Sequence, residues 1–470
     1  MIRPAHRSWW MEEALADPAL AGEPTPPLNR DLTADVVVLG GGYTGMWTAW
    51  FLKEREPSLD VVLLERDLCG GGPSGRNGGF CNGFWEDLEI LVDLFGVARA
   101  LEVCRAAERS VEEIGAWCTD HGVDAWYAPA GHLGIATSAA QEGAWDEWYA
   151  LMVRLAVDDG RIVQLTREQV AERCHSPVFG AGVLTPGAAT LQPARLARGL
   201  RRELLERGVR IFEDAPVLRF RGGSSPQVQT PGGTVRAGHA ILGMGAYMAP
   251  LPRFRRAIVP RGTYIVLTEP IPERLEDLGW TGGEGIYDFR TALHYLRTTR
   301  DGRLAFGSAA AVAGLGVGLG PRLDFDERSV DMAAADLVRM FPGLADVRLE
   351  CAWGGPMDVT GWHVPSFGSF EGGRVHFGVG YTGGGVGPCH LGGQILSGLA
   401  LGVDDEVTHL PLVGLEPKRF PPEPLRSAGV LLTQKAIVGR DVAHDAGRRP
   451  NRAVDLVARL PRRLGYKLGP

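Results

Sequence analysis

The feature that most constrains this chain is Gly40-Gly41-Gly42-Tyr43-Thr44-Gly45, placed directly after the apolar run Asp35–Leu39. A strand that ends in glycines and opens into a helix gathers backbone N–H groups and the positive helix end at one point. Gly40 permits the tight turn, Gly42 lets a pyrophosphate approach the backbone, and Gly45 lets helix and strand pack closely. Pro57 ends the helix, Val61–Leu64 reads as a second buried strand, and Glu65 and Arg66 follow it. A carboxylate at that point accepts ribose hydroxyls and disfavours a 2′-phosphorylated nucleotide. Strand, glycines, helix, strand and acid in register predict a dinucleotide-binding β-α-β unit.

Two further glycine stretches choose among nucleotides. Gly72-Pro73-Ser74-Gly75-Arg76-Asn77-Gly78-Gly79 follows the second strand, where Ser74, Asn77 and the amides of Gly75, Gly78 and Gly79 can donate to phosphates or a flavin ring, and Arg76 adds charge. Gly378-Val379-Gly380-Tyr381-Thr382-Gly383 repeats the spacing of the first motif, but no second strand with a terminal acid follows it. It reads as a loop, continuing through Gly384 and Gly385, that aims the N-terminus of a helix from Val386 at the flavin edge where negative charge develops. One nucleotide unit with two flavin-type loops predicts FAD, with electrons drawn from the substrate.

The segments "ADVVVLGGGYTG", "GPSGRNGGF", "LQPARLARGL…GVRIFEDAPV", "AILGMGAYM", "WGGPMDVT" and "GVGYTGGGVG" together resemble the D-amino-acid oxidase/glycine oxidase/sarcosine oxidase superfamily, most closely its γ-glutamylputrescine oxidase-like branch. The resemblance spans residues ~33–400 and implies an α/β fold with a Rossmann-type FAD domain interleaved with an α+β, mixed-sheet substrate domain. The expected FAD domain comprises 33–84, 186–250 and 345–405, the substrate domain 85–185 and 251–344, and a basic extension 406–470. The resemblance also implies that Val217 presents its backbone to adenine. Gly384 departs from it, standing where the branch usually carries histidine. So does the absence of any lysine between Glu54 and Pro417, because sarcosine oxidase-like relatives activate oxygen with one. Covalent relatives attach flavin near the C-terminal loop; with Cys81 distant from it and Cys389 inside a helix, non-covalent FAD is expected.

The implied reaction is hydride transfer from a small amine or amino-acid-like substrate, giving an imine that water hydrolyses, with O2 or another acceptor reoxidising the cofactor. A dehydrogenase serving a quinone or carrier and a non-catalytic flavin-bearing subunit are the alternatives. Leu293–Thr298 reads as a strand, so Tyr295 and Arg297 share one face and His294 takes the other. With Trp353 of the Trp-Gly-Gly-Pro stretch and Tyr381, these are the candidate substrate contacts; aromatic walls suit an amine because they desolvate it.

Composition bounds the rest. Seven cysteines without CxxC spacing predict free thiols, a reducing cytoplasmic setting and no metal centre. A net charge of −7 excludes a general nucleic-acid surface. Residues 421–470 hold ten Arg or Lys against four Asp or Glu. We expect this tail to fold back on an acidic body. A basic interfacial helix on a membrane ranks second because Pro461 and Asp455 interrupt it, and a homodimer contact is left open.

Overall fold

A computed structural model describes residues 2–310, 316 and 318–467. In chain order it contains α1 (Trp9–Ala16), β1 (Leu32–Leu39), α2 (Tyr43–Arg55), β2 (Val61–Leu64), β3 (His132–Ile135), α3 (Pro193–Glu206), β4 (Arg210–Phe212) and β5 (Gly233–Leu242). There follow β6 (Val259–Thr268), β7 (Gly285–Asp288), β8 (His294–Thr298), β9 (Leu304–Ser308), α4 (Glu327–Met340), β10 (Leu349–Val359), β11 (Val375–Val379) and α5 (Val386–Leu401). The tail forms α6 (Leu425–Asp445), α7 (Arg452–Ala458) and α8 (Leu460–Arg463).

The dinucleotide-type sheet has a parallel centre, with neighbours β11, β5, β1, β2 and β4. At its centre Val36–Leu39 of β1 and Val61–Leu64 of β2 are continuous apolar runs, buried because both faces are covered. α2 and α5 pack on one face through Met46, Trp47, Leu391 and Ile395, all buried. The second sheet has nine strands, with β10, β6, β9, β8, β7 and β3 as consecutive neighbours. One face buries Tyr264, Val266, Leu296, Phe306 and Ala352 under α4, which supplies Val330, Ala333 and Leu337.

β10 corrects the expected segmentation. It pairs antiparallel with β6 from Val259↔Val359 to Leu267↔Cys351, so Leu349–Val359 completes the large sheet rather than the FAD-binding unit. The N-terminus adds an edge strand, Arg3–Pro4, parallel to β10.

The tail lies on the body through charges of both signs: Lys467 pairs with Asp93 at 2.6 Å in the sense expected, and tail acids pair with a body arginine in the opposite sense. Asp441 and Asp445 of α6 reach Arg290, with Asp441 Oδ2 accepting the Ala292 N–H at 3.0 Å. The tail's acids therefore anchor it, and Ala436, Ile437 and Ala458 seal the contact against Ala292 and Ala310. Among the described residues no helix is long and apolar enough to cross a membrane.

Candidate active site

The first glycine turn is built as the motif requires. Gly40 has φ +103°, and a side chain at Gly45 would collide with the Gly40 carbonyl oxygen. α2 has no side-chain cap of its own; instead Ser74 Oγ accepts the Tyr43 N–H at 2.9 Å, and its hydroxyl proton remains available to a phosphate. Thr44 follows in the first turn. Glu65 accepts the N–H of Gly41 at 2.8 Å and of Asp67 at 3.0 Å, so its carboxylate is fixed beside the glycine turn. Burial raises its pKa. Arg66 lies over the Tyr247 ring, 4.1 Å from its centre. The N–H of Ala215 bonds to the Glu65 carbonyl, which lays the Pro216–Val217 segment alongside Glu65.

The second loop is held from behind. Asn77 Oδ1 accepts the Gly79 N–H at 2.7 Å, and Ser8 of the N-terminal segment donates to the Gly75 carbonyl at 2.6 Å. Arg76 does not offer its charge to a phosphate: it donates to the carbonyls of Gly71, Gly354 and His6, stitching the loop to β10 and the N-terminus. Trp353 is another correction. Its ring is fully buried against Trp10, with Nε1 donating to the Arg76 carbonyl at 2.9 Å, so it backs the loop rather than walling a substrate pocket.

In the third loop Gly380 and Gly383 both take positive φ, +92° and +101°, as does Thr382 at +51°. Asp358, at the end of β10, accepts the Gly380 N–H at 2.6 Å; burial pushes its pKa up to about 6. This anchor had no signature in the sequence. Gly384 is open and Gly385 caps α5 before Val386, leaving the helix N-terminus without a side-chain cap. Tyr381 turns into the core between α2 and α5, where Thr44 Oγ1 donates to its hydroxyl at 3.1 Å, and so it does not face the large sheet. The three loops thus expose N–H groups, close-packed glycines and one acid where a dinucleotide would lie, and FAD fits this donor set.

The strand at 294–298 shows which face meets these loops. A side chain on Gly78 would touch the Tyr295 ring at 2.8 Å, and the Phe80 ring lies edge-on to it at 6.0 Å. Arg297, on the same face, donates to the Leu191 carbonyl beside Gly79; burial lowers its pKa to about 10. It supports the loop. His294 points to the opposite face, bonded to Asp288 at 2.7 Å and Asp336 at 3.0 Å, far from any catalytic role expected of it.

The loop-facing side of the large sheet carries polar groups that sequence reading passed over. Thr263 Oγ1 meets the Tyr295 hydroxyl at 2.7 Å. Tyr287 is paired in register with Tyr295, so both rings share a face. Arg261 is paired with Met357, whose Sδ lies 3.1 Å from the side-chain position of Gly383. Arg261 Nε is buried without a hydrogen-bond partner, and among the described residues nothing pairs with the guanidinium. Glu86, next to the Tyr287 hydroxyl, is pushed up to about 7 by burial, and its Oε1 is likewise unpartnered. Asp87 is raised similarly, by burial and then by the Glu86 charge. Only strand pairing across residues 86–357 unites these groups, so no local pattern could reveal them.

The γ-glutamylputrescine oxidoreductase of Escherichia coli K12 is 28% identical over 389 residues, covering 81% of this chain and 86% of that protein. Among solved structures, glycine oxidase from Geobacillus kaustophilus superposes with a TM-score of 0.66 at 17% identity, covering 83% of this chain and all of that one. L-proline dehydrogenase from P. horikoshii gives 0.65 at 19%, covering 81% and 96%. At these identities the two structures establish the fold. The model of the DAO family, described as FAD dependent oxidoreductase, matches residues 35–399 and so takes in all three glycine loops. This chain belongs to that family of FAD-dependent oxidoreductases, and FAD is its cofactor.

Proposed function

We propose that this enzyme oxidises a C–N bond in an amine or amino-acid-like substrate bearing a carboxylate some distance from the reacting amine. The observation that carries this reading is Arg261, half-buried with its Nε enclosed and no counter-ion among the described residues, on the face that meets the glycine loops. A guanidinium drawn partly out of water without a counter-ion costs stability that a ligand can restore, and its fork matches a carboxylate. At the other end of the polar strip stand Glu86 and Tyr287. β6 and β7 are three strand spacings apart, roughly 14 Å across the sheet. That separation suits an elongated molecule, and the E. coli relative is named for one with a glutamyl group at one end and a putrescine amine at the other.

FAD, when bound, supplies the two-electron acceptor for the hydrogen on the α carbon. The chain's residues do the rest. Arg261 binds the carboxylate, while Tyr295, hydrogen-bonded to Thr263, walls the middle of the substrate against Gly78. Hydride departure requires a neutral nitrogen, so Glu86 takes the ammonium proton; its raised pKa suits that task near neutrality. A cavity of about 20 Å³ beside Glu86, bordered by Trp85, Glu108 and Arg161, has room for one water to relay the proton outward. Loss of the α hydrogen with its electron pair leaves C=N, and water adds to give a carbonyl and a free amine. O2 is the proposed final acceptor, and an oxygen electrode against a dye-reduction assay separates it from a carrier. The free, buried thiols fit a cytoplasmic setting and a non-covalent cofactor: Cys389 is raised to about 12, by burial first.

The test is an anaerobic screen of amines for loss of oxidised-flavin absorbance. Carboxylate-bearing amines should bleach the cofactor at lower concentrations than their decarboxylated counterparts. Bleaching by none of them, or no preference for the carboxylate, would overturn the proposal.

A further inference from the structure

The tail leaves a hollow of about 550 Å³ against the body, lined by Thr291, Arg440, Ala458, Arg459, Arg462 and Arg463. Four guanidiniums and a hydroxyl face it, and none of its lining residues is acidic. Two of the lining arginines have an acid beside them: Asp455 pairs with Arg459 at 3.0 Å, and Asp441 lies 3.8 Å from Arg440 while its other oxygen holds the Ala292 N–H. Arg440 donates to Thr291 Oγ1 at 2.6 Å, which leaves the Thr291 hydroxyl proton free to donate. Burial, and then the positive charges of Arg440 and Arg459, depress the Arg462 pKa, with Glu89 opposing them.

We propose that this hollow is a binding site for a phosphate-bearing anion, separate from the oxidation site. One carboxylate occupies one fork, whereas a phosphate presents three terminal oxygens and accepts several forks and a hydroxyl together. The volume falls in the range of small-molecule sites, yet no aromatic ring lines it to stack on a base. The group recognised is the phosphate itself, carried by a free polyphosphate or by an anionic lipid headgroup. Leu460 and Leu464, 40% and 58% exposed beside the arginines, make the lipid a source to be tested directly.

The experiment uses the full-length FAD-loaded protein in two arms. In the first, tripolyphosphate is titrated by calorimetry and its effect on Tm is recorded. In the second, the protein is sedimented with vesicles of phosphatidylglycerol in phosphatidylcholine, with pure phosphatidylcholine as control. Saturable binding in either arm is expected, about tenfold weaker in Arg463→Gln, the loss that about 1.4 kcal/mol represents. Arg463 is exposed and makes no ion pair among the described residues, so this variant should keep its fold; Thr291→Val provides an independent check on the hydroxyl. Binding of tripolyphosphate identifies a soluble ligand, and binding of vesicles alone a membrane lipid. Binding in neither arm, or binding that both variants leave unchanged, would refute the site.

Discussion

The two faces of the nine-stranded sheet treat buried charge in opposite ways. On the face under α4, Arg290 lies among Asp336, Asp441 and Asp445, and His294 between Asp288 and Asp336; each of these groups has an ion-pair partner, although Arg290 Nε and Asp445 Oδ1 make no hydrogen bond. Burial lowers the His294 pKa, but the Asp288 and Asp336 contacts outweigh it and the net shift is upward. On the loop-facing side, Arg261 and Glu86 are half-buried, have no ion pair among the described residues, and enclose Arg261 Nε and Glu86 Oε1 without a hydrogen bond. A network of ion pairs holds structure together, whereas an ionisable group without a counter-ion is a cost that a ligand can remove. Ionisable side chains thus divide by partnership rather than by type, and this separates His294 from Arg261 although both belong to one sheet.

The strongest way to break the contrast is to disturb the satisfied face. Arg290→Met would strand Asp336, Asp441 and Asp445 without their shared cation. Removing one member of a buried ionic group costs about 3–5 kcal/mol. The expected result is a large fall in Tm and early proteolysis between the body and α6, because Asp441 and Asp445 fasten the tail. FAD content should persist in the folded fraction. An unchanged melting curve would show that the network is ornamental.

The unsatisfied face should respond in the reverse sense. Arg261→Met removes a half-buried cation without a counter-ion, so Tm should hold or rise. At the same time kcat/KM for a carboxylate-bearing amine should fall roughly 100-fold, about 3 kcal/mol of lost binding in the transition state. A matched amine without the carboxylate should react as it does with the native enzyme. Equal losses for both substrates would move Arg261 from ligand recognition to structure.

The contrast also explains what the sequence could and could not disclose. The cradle proposed for FAD is backbone: Gly40, Gly380 and Gly383 are legible because their positive φ suits glycine, Gly45 because a side chain there would strike the Gly40 carbonyl, Gly42 from the motif spacing, and Glu65 because it follows a strand at a fixed distance. The proposed substrate side draws on side chains from β6, β7, β8 and β10 and the loop at Glu86, which only the tertiary fold makes neighbours. Alternation within 293–298 separated Tyr295 and Arg297 from His294, but could not say which side the loops occupy. Trp353 and Tyr381 misled because a large aromatic beside a glycine motif looks the same whether it lines a pocket or supports one. The N-terminal segment was opaque for a different reason: its role comes from single contacts, Ser8 to Gly75 and His6 to Arg76, with no periodic pattern.

Glu86 offers the finest test, because stability and catalysis should move in opposite directions. Its pKa is about 7 in the fold against an ordinary 4.5, raised by burial. The folded state therefore holds this proton more tightly than the unfolded chain does. Its contribution is fully present below about pH 4.5 and is lost as pH rises through 7, a span worth up to about 3 kcal/mol. Glu86→Gln, which never ionises, should match the native Tm near pH 4 and exceed it at pH 8. Activity should instead fall, by about tenfold, less than the usual effect of an acid-base group because bulk water can take the proton before the substrate binds. The acidic limb of the kcat/KM profile should also move to lower pH, since Asp87 loses the like charge that helps raise it. A variant with native activity, an unmoved limb and a higher Tm at pH 8 would leave Glu86 a strained bystander and send the search for the proton acceptor back to the polar strip between Thr263 and Tyr287.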